Sequence, residues 1–389
     1  MLMMLKEDAL ECLLFLKYVE RISIYERTDN DPAPVLLFDI EIVNAEEIRA
    51  ERTKFMERLR SYSDNSSITH NSEMTLDSSI RPKFKITDED RNVTFVTWQV
   101  TSMLGDMIET RRQMEVQFNC DTSGHRLIPW VGVAAPVDPT IKVNNPRLFC
   151  FLPIGYNTPF PAHINGHFAV KQSRREIWTN QGKDISEQSN ARVKAKWNEY
   201  LMTELVPRVY ARFLENMGLD HGVDYSLWPE PSNDGMLAIF HGMLVRTLTQ
   251  AIKERRKIFF IGPPTSEKVA ALEDCNIADQ ILGQATLLVD ILHRIISMAV
   301  GLPDHILASL RTVADNLGLQ ERILNPDRVR NQLLQSVELF SKASSSATKS
   351  QTLEYCSRDD DVEALEGLPL LPMADGSWAK FSKEARESW

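Results

Sequence analysis

The chain contains 389 residues, and its 43% of hydrophobic and 25% of charged residues are ordinary for a globular protein and exclude wholesale disorder. Its length predicts two or three packed units. Lys and Arg number 44 against 54 Asp and Glu, and the resulting net charge of −10 disfavours nucleic acid and anionic membrane surfaces as partners.

The first half of the chain alternates between helical and strand-like segments. Helices are predicted over 5–20 and 45–60. The predicted strands lie around 22–25, 35–38, 93–100, 114–118, 127–133, 147–153 and 160–170. Residues 61–81 are rich in Ser, Asn and Thr and predict a mobile surface loop. This mixture predicts an α/β (α+β) layer architecture for about residues 1–180.

The second half predicts mainly helices. The strongest helix covers 190–217, where apolar residues recur every four positions, and Pro207 is expected to kink or divide it. Further helices are predicted over 234–256, 266–274, 276–300, 303–317, 326–342 and 351–356, with a short strand at 259–262. The Ser- and Lys-rich run 341–350 predicts a flexible linker. We therefore expect an α/β domain at 1–180, a helical region at 181–340, the linker at 341–350, and the start of a further, truncated segment at 351–389.

The cysteines and the N-terminal segment predict a cytoplasmic protein. The five cysteines are odd in number and far apart in sequence, and no CxxC pair occurs, which argues against a zinc ribbon or disulfide scaffold and predicts reduced thiols. Glu7 and Asp8 lie where a signal peptide would be basic. No apolar run reaches the roughly 18 residues that span a bilayer, so no membrane partner is expected.

No motif for a phosphate-bearing cofactor is present. The chain has neither GxxxxGK[ST] nor GxGxxG. The Gly-Pro-Pro segment at 262–264 lacks the Lys and the backbone amides of a phosphate loop, and the Asn-Asp-Gly segment at 233–235 is typical of a helix cap. The sequence therefore predicts no cofactor.

Two other segments contain residue types that can carry chemistry. His163 and His167 have the spacing of two metal ligands on a helix, but the surrounding residues alternate as in a strand, where four residues span roughly 13 Å. Cys120 and His125 suggest a nucleophile and a base, but no third group orients them, and a polar turn between strands is the preferred interpretation. We therefore predict no metal site and no catalytic residue.

A basic cluster follows the strand-like segment 160–170. It contains Lys171, Arg174 and Arg175. Guanidinium groups form paired hydrogen bonds with phosphate oxygens, so the two arginines are candidates for a phosphate contact. The alternative is a solvated loop with a surface salt bridge, and the sequence leaves both interpretations open.

Several segments in a fixed order resemble the sacsin family. They are ALECLLFLKYVERISIYE, LIPWVGVAAP, FCFLPI, TPFPAHINGHFAVKQSRREIW, KWNEYLMTELVPRVYARFLE, LVDILHRIISMAVGLPDHIL, LNPDRVRNQLL and LEGLPLLPMADGSW. The resemblance covers most of the chain, and the order of the segments makes it more specific than any one of them.

Sacsins are giant cytosolic co-chaperones whose repeats begin with a nucleotide-binding domain similar to that of the ninety-kilodalton heat-shock chaperone. The resemblance implies that this chain corresponds to the region after that domain, an α/β middle domain followed by helices. It also implies that Arg174 or Arg175 reaches a phosphate held by a neighbouring nucleotide domain. The catalytic Glu, the adenine-binding Asp and the glycine-rich lid of such a domain are not recognisable here. We therefore expect a fragment, a short paralogue or a truncated gene product that is not itself an enzyme.

Three hypotheses of function follow from the resemblance. The first is a non-catalytic chaperone or co-chaperone module that binds client proteins or other chaperones. The second is half of an ATPase site, in which the arginines of this chain complete a nucleotide-binding domain in trans. The third is a scaffold fragment without activity. Nucleotide binding by the chain alone discriminates between them.

Overall fold

A computed structural model of the chain describes residues 2–28, 31–64, 76–122, 125, 127–180, 190–231, 238–262 and 268–382. The chain forms two compact units. Unit 1 consists of Met1–Met217 and Ser226–Gln250, and unit 2 consists of Gly218–Tyr225 and Ala251–Trp389. This division lies C-terminal to the boundary expected at residue 180, because the helix that begins at Asn190 packs within unit 1.

Unit 1 combines a mixed sheet with helices. Its elements are α1 Leu2–Phe15, β1 Arg21–Thr28, β2 Asp31–Ile42, α2 Ala45–Asp64, β3 Leu76–Ile80, β4 Lys83–Thr87, β5 Val93–Leu104, α3 Met107–Val116, β6 Trp130–Pro136, β7 Arg147–Cys150, β8 Leu152–Asn157, β9 His163–Gly166, α4 Asn190–Tyr200, α5 Val206–His221 and α6 Met243–Lys253. The last four residues of α5 and the last three of α6 belong to unit 2. The strands form one nine-stranded sheet in the order β1-β2-β4-β5-β6-β9-β7-β8, and β3 pairs with β5. The β7–β9 pair is parallel, and the others are antiparallel.

One face of the sheet buries the core beneath α1. Every second residue of a strand lies on the same face of the sheet, together with the residue paired to it on the next strand. The paired residues Phe84 and Val96 belong to this core. Leu13 of α1 is fully buried in the same cluster, and the rings of Phe15 and Phe149 lie 4.9 Å apart. The mixed sheet and its covering helices confirm the predicted α/β class.

The long helix expected over 190–217 is present, but a π-helical turn divides it. This turn covers Leu201–Leu205 and joins α4 to α5, and the amide of Val206 donates to the carbonyl of Leu201, five residues back. Pro207, which has no amide hydrogen, follows directly after this turn. The helix therefore continues through the proline, and Leu201 is fully buried.

Unit 2 is mainly helical, with three small strand pairs. Its elements are β10 Phe259–Ile261, β11 Lys268–Ala270, β12 Asn276–Ile277, α7 Gln280–Gln284, α8 Thr286–Ile295, β13 Met298–Ala299, α9 Asp304–Leu317, α10 Pro326–Gln335, α11 Val337–Ala343, α12 Ser346–Cys356, β14 Leu371–Pro372 and β15 Trp378–Ala379. Leu292, Leu333 and Phe340 belong to its core and are fully buried. The guanidinium of Arg330 is also buried, where it donates to both carboxylate oxygens of Asp359 at 2.8 and 2.7 Å. The predicted helical C-terminal region is confirmed.

Two predictions for unit 1 are wrong. The mobile loop expected over 61–81 is shorter, because α2 continues to Asp64 and β3 pairs with β5 along 76–80; residues 65–75 lie outside the described part. The strand expected over 114–118 is instead the end of α3. Asp106 caps that helix by accepting a hydrogen bond from the amide of Glu109 at 2.8 Å, which favours helix over strand.

Three predictions for unit 2 also differ from the structure. The helix expected over 266–274 is replaced, in its described part, by β11 and a 3₁₀ turn, and that over 276–300 is divided into α7 and α8 between two short strands. The segment 341–350, expected to be a linker, lies in α11 and α12. Ser345 caps α12 by accepting a hydrogen bond from the amide of Thr348 at 3.1 Å, so the serine signals a helix start here.

Candidate functional site

The candidate arginines lie at the tip of a short hairpin between Val170 and Ile177. These two residues form an isolated antiparallel bridge, and the amide of Lys171 donates to the carbonyl of Glu176 at 2.7 Å. Arg174 closes the turn by donating its amide to the carbonyl of Lys171 at 2.9 Å, with a left-handed φ of 55°. Ile177 is buried, so the stem is fixed in the unit while the tip projects from it.

Asn198 of α4 holds both strands of the stem. Its side-chain oxygen accepts from the amide of Ala169 at 2.7 Å, and its amide group donates to the carbonyls of Ala169 and Trp178 at 2.8 and 2.9 Å. The side chain is fully buried, where breaking three hydrogen bonds would be costly. This residue was not predicted, because an asparagine close to the polar Lys196 and Glu199 on a helix gives no sign of burial.

The edge strand β8 supports the other side of the hairpin. The amide of Gly155 donates to the carbonyl of Arg175 at 3.0 Å. A Cβ atom at residue 155 would lie 2.9 Å from that oxygen, so a larger residue there would push the hairpin away from the sheet. The backbone of Arg175 is therefore positioned by the sheet, and the backbone of the stem by α4.

The two guanidinium groups are exposed at the hairpin tip. Among the described residues, neither one has a hydrogen-bond or ion-pair partner, whereas Lys171 beside them pairs with Glu176. Burial raises the pKa of the nearby Cys150 thiol, and the positive charge of Arg174 acts in the opposite direction. The tip therefore carries two cations that are open to an external anion, on a stem that is held in place.

His163, one of the other candidates, has structural contacts. The Nδ1 atom of His163 accepts a hydrogen bond from the amide of Arg147 at 3.1 Å, and its ring is fully buried against Trp98. Burial lowers the pKa of His167 and raises that of the Cys120 thiol, which disfavours a thiolate nucleophile at Cys120. Within the described ranges, no group of His, Cys, Asp and Glu has a geometry that would hold a metal ion.

A partly buried ionic network anchors α1 on the sheet. The guanidinium of Arg147 donates to Glu11 and to Asp8, the latter at 2.6 Å, and the Nε2 atom of His163 lies 3.4 Å from the Glu11 carboxylate. Burial raises the pKa of the Glu11 carboxyl, but hydrogen bonding and charge from His163 and Arg147 outweigh it and lower the pKa below its ordinary value of 4.5. Glu11 is therefore held ionised by its partners.

The fold and the site together describe an α/β unit that displays a fixed arginine hairpin, in a chain that also forms a mainly helical unit. No family model and no solved structure matches the chain. Human sacsin is 28% identical to it over 215 residues, which is 54% of this chain and 4% of sacsin. The chain therefore contains a sacsin-related region, as the resemblance predicted, and it spans a small part of the relative's length. Among the helices of the described ranges, none is long and apolar enough to cross a bilayer.

Proposed function

We propose that the chain is a non-catalytic, chaperone-type module that binds client proteins or other chaperones in the cytoplasm. The similarity to sacsin carries this proposal. Binding modules of this kind act by their different affinities for the states of a partner and need no hydrolysis of their own. The sequence lacks every phosphate-loop motif, which supports a function without a resident nucleotide.

The full chain, in the absence of nucleotide, should slow the aggregation of a chemically unfolded model protein. Light scattering measures this effect, and addition of ATP with magnesium should leave it unchanged. Calorimetry with the same nucleotide should record no binding. A chain without effect on aggregation would support the inert scaffold instead. Micromolar ATP binding that survives alanine at Arg174 and Arg175 would reveal a complete nucleotide pocket.

A second candidate function is supported by the geometry of the hairpin. Two exposed guanidinium groups without a described partner, on a stem fixed by Asn198 and β8, suit contact with a phosphate held by another domain. A preplaced cation stabilises the charge that develops on phosphate during transfer. In this function the chain contributes half of an ATPase site to a nucleotide-binding domain in trans.

Alanine at Arg174 or Arg175 should lower ATP turnover at least tenfold when a sacsin-type nucleotide domain is fused upstream, a loss of about 1.4 kcal/mol of transition-state stabilisation. Lysine at either position should not restore turnover fully, because an ammonium cannot form the two parallel hydrogen bonds that a guanidinium group forms with a phosphate. Steady-state ATPase assays measure this. Arg111→Ala, which removes an exposed arginine from α3, is the matched control. If the turnover of both hairpin variants stayed within about twofold of the unmodified fusion, a barrier difference of roughly 0.4 kcal/mol, the catalytic contact would be refuted.

A further inference from the structure

The two edges of the sheet in unit 1 differ in what lies beside them. At one edge, Gly155 of β8 donates its amide to the carbonyl of Arg175, so the arginine hairpin occupies that side, and Pro153 of the same strand has no amide hydrogen. At the other edge, β1 pairs with β2 along one side, and no other described strand lies beside it. β1 is eight residues long and contains no proline. It therefore presents a row of backbone groups with which a further strand can pair.

The hydrogen-bond pattern shows which residues of β1 face outward. The amide of Ile42 in β2 donates to the carbonyl of Glu20 at 2.9 Å, and in an antiparallel pair the residues that bond across alternate with those that do not. The register shift after Ile24 comes from the extra residue Leu37 in β2, so the alternation along β1 continues. The even-numbered residues of β1 therefore bond to β2. The odd-numbered ones direct their amides and carbonyls to the open edge, and they include Arg21, Ser23 and Tyr25.

The side chains of β1 leave apolar surface at the same edge. Ile22 and Ile24 pack against the core beneath α1 and are only half-buried. On the opposite face of the sheet, the side chain of Tyr25 is 56% exposed. Half-buried apolar side chains at an open edge lose further contact with water when a strand is added beside them.

We propose that β1 pairs with β1 of a second copy of this chain, antiparallel and about a twofold axis at Ser23. Such an axis keeps each face of the sheet continuous, so residues of the same face lie opposite each other. Ile22 then lies opposite Ile24 of the second copy and extends the core. Arg21 lies opposite Tyr25 of the second copy, where a guanidinium group and an aromatic ring attract each other. The outward-facing residues supply every hydrogen bond between the two strands in this register.

The sequence of β1 favours this register over the next two. An axis at Ile24 would place Arg21 opposite Arg27 of the second copy, and like charges that lie directly opposite each other destabilise a strand pair. An axis at Tyr25 would place the apolar Ile24 opposite Glu26. With the axis at Ser23, apolar residues lie opposite apolar ones in the centre of the pair.

The ends of the paired segment bring two acids together. Glu26 lies opposite Glu20 of the second copy, the residue before β1. Arg49 donates two hydrogen bonds of 2.8 and 2.7 Å to the Glu20 carboxylate. The second carboxylate therefore meets an acid that is already paired with a cation.

Sedimentation equilibrium of the full chain tests the proposal. The mass should rise towards twice that of the monomer as the concentration is raised. Ser23→Pro removes the outward amide at the axis, which β1 does not use in its pairing with β2, and should weaken association about tenfold or more. Ser23→Ala is the matched control, since it loses the same side-chain hydrogen bond to Asp39 but keeps the amide, and it should associate like the unmodified chain. A chain that stays monomeric at every concentration would overturn the proposal.

Disulfide crosslinking tests the register and does not depend on the proline variant. In Ser23→Cys, the two cysteines would lie opposite each other with Cα atoms about 5.5 Å apart, within the range of a disulfide. Mild oxidation should crosslink this variant into a covalent dimer. In Tyr25→Cys the two Cα atoms would lie at least roughly 13 Å apart, so it should crosslink no more than the unmodified chain with its five cysteines. Crosslinking of Tyr25→Cys in place of Ser23→Cys would refute the register. A monomeric chain whose effect on aggregation is lost in Ser23→Pro would instead assign the edge to a strand of a client protein.

Discussion

Leu201→Ala should lower the free energy of unfolding of unit 1 by roughly 2–5 kcal/mol. Leu201 is fully buried in the π-helical turn between α4 and α5, and its neighbours Met202 and Leu205 are buried as well. Truncation loses the transfer free energy of the side chain and leaves a cavity that a close-packed interior fills only in part. Urea unfolding followed by tryptophan fluorescence measures the effect, since Trp98, Trp130, Trp178, Trp197 and Trp228 belong to unit 1.

Leu152→Ala is the matched control for this substitution. It makes the same chemical change in β8 of unit 1, where the side chain is 47% exposed. Exposed substitutions usually change stability by less than 0.5 kcal/mol, so its urea midpoint should stay close to that of the unmodified chain. Equal midpoints for both variants would mean that the apolar side of the helix faces solvent.

Arg147→Met should cost about 3 kcal/mol near neutral pH, because it removes the guanidinium partner of the Glu11 carboxylate, whose side chain is only 14% exposed. The Arg147 side chain is only 20% exposed, so solvent screens the network weakly. Arg112→Met is the control: Arg112 pairs with Glu109 at the surface, with 60% and 45% of the two side chains exposed, and such pairs contribute little. Urea denaturation should show a clear loss of stability for Arg147→Met and little change for Arg112→Met.

The cost of Arg147→Met should also depend on pH. The pKa of Glu11 is lowered in the folded chain, so its ion pair contributes stability above the ordinary value of 4.5 and loses that contribution as the pH falls through the folded pKa. The difference between the variant and the unmodified chain should therefore shrink on acidification. A difference that stays constant between pH 7 and pH 3 would mean that lost packing, not the ion pair, causes the destabilisation.

The sequence predicted elements whose pattern is long and regular. The helix over 190–217 was found because its apolar residues recur every four positions, which reflects one buried face. The short pieces of unit 2 could not be predicted this way. Strands of two or three residues, such as β12 and β13, form because a distant segment pairs with them, and no local pattern signals that partner.

The candidate site was also predicted only in part, because the residues that support it are distant in sequence. Arg174 and Arg175 are visible in sequence as exposed cations after a strand. Two residues support them, each 20 positions in sequence from the residue to which it bonds. Asn198 bonds to the carbonyl of Trp178 in the stem, and Gly155 bonds to the carbonyl of Arg175.

The path of the chain through the two units sets how the protein can be dissected. Three backbone crossings join them, at Met217–Gly218, Tyr225–Ser226 and Gln250–Ala251. A fragment that ends at residue 217 would omit Leu227, whose carbonyl accepts a hydrogen bond from the Tyr210 hydroxyl at 2.7 Å, and Phe240, whose ring lies 6.2 Å from that of Phe160. No single cut therefore releases either unit whole. Any expressed fragment must contain the first 250 residues for unit 1 to retain its full set of contacts. The same holds for shuffled chains and for variants that lose an exon in this region.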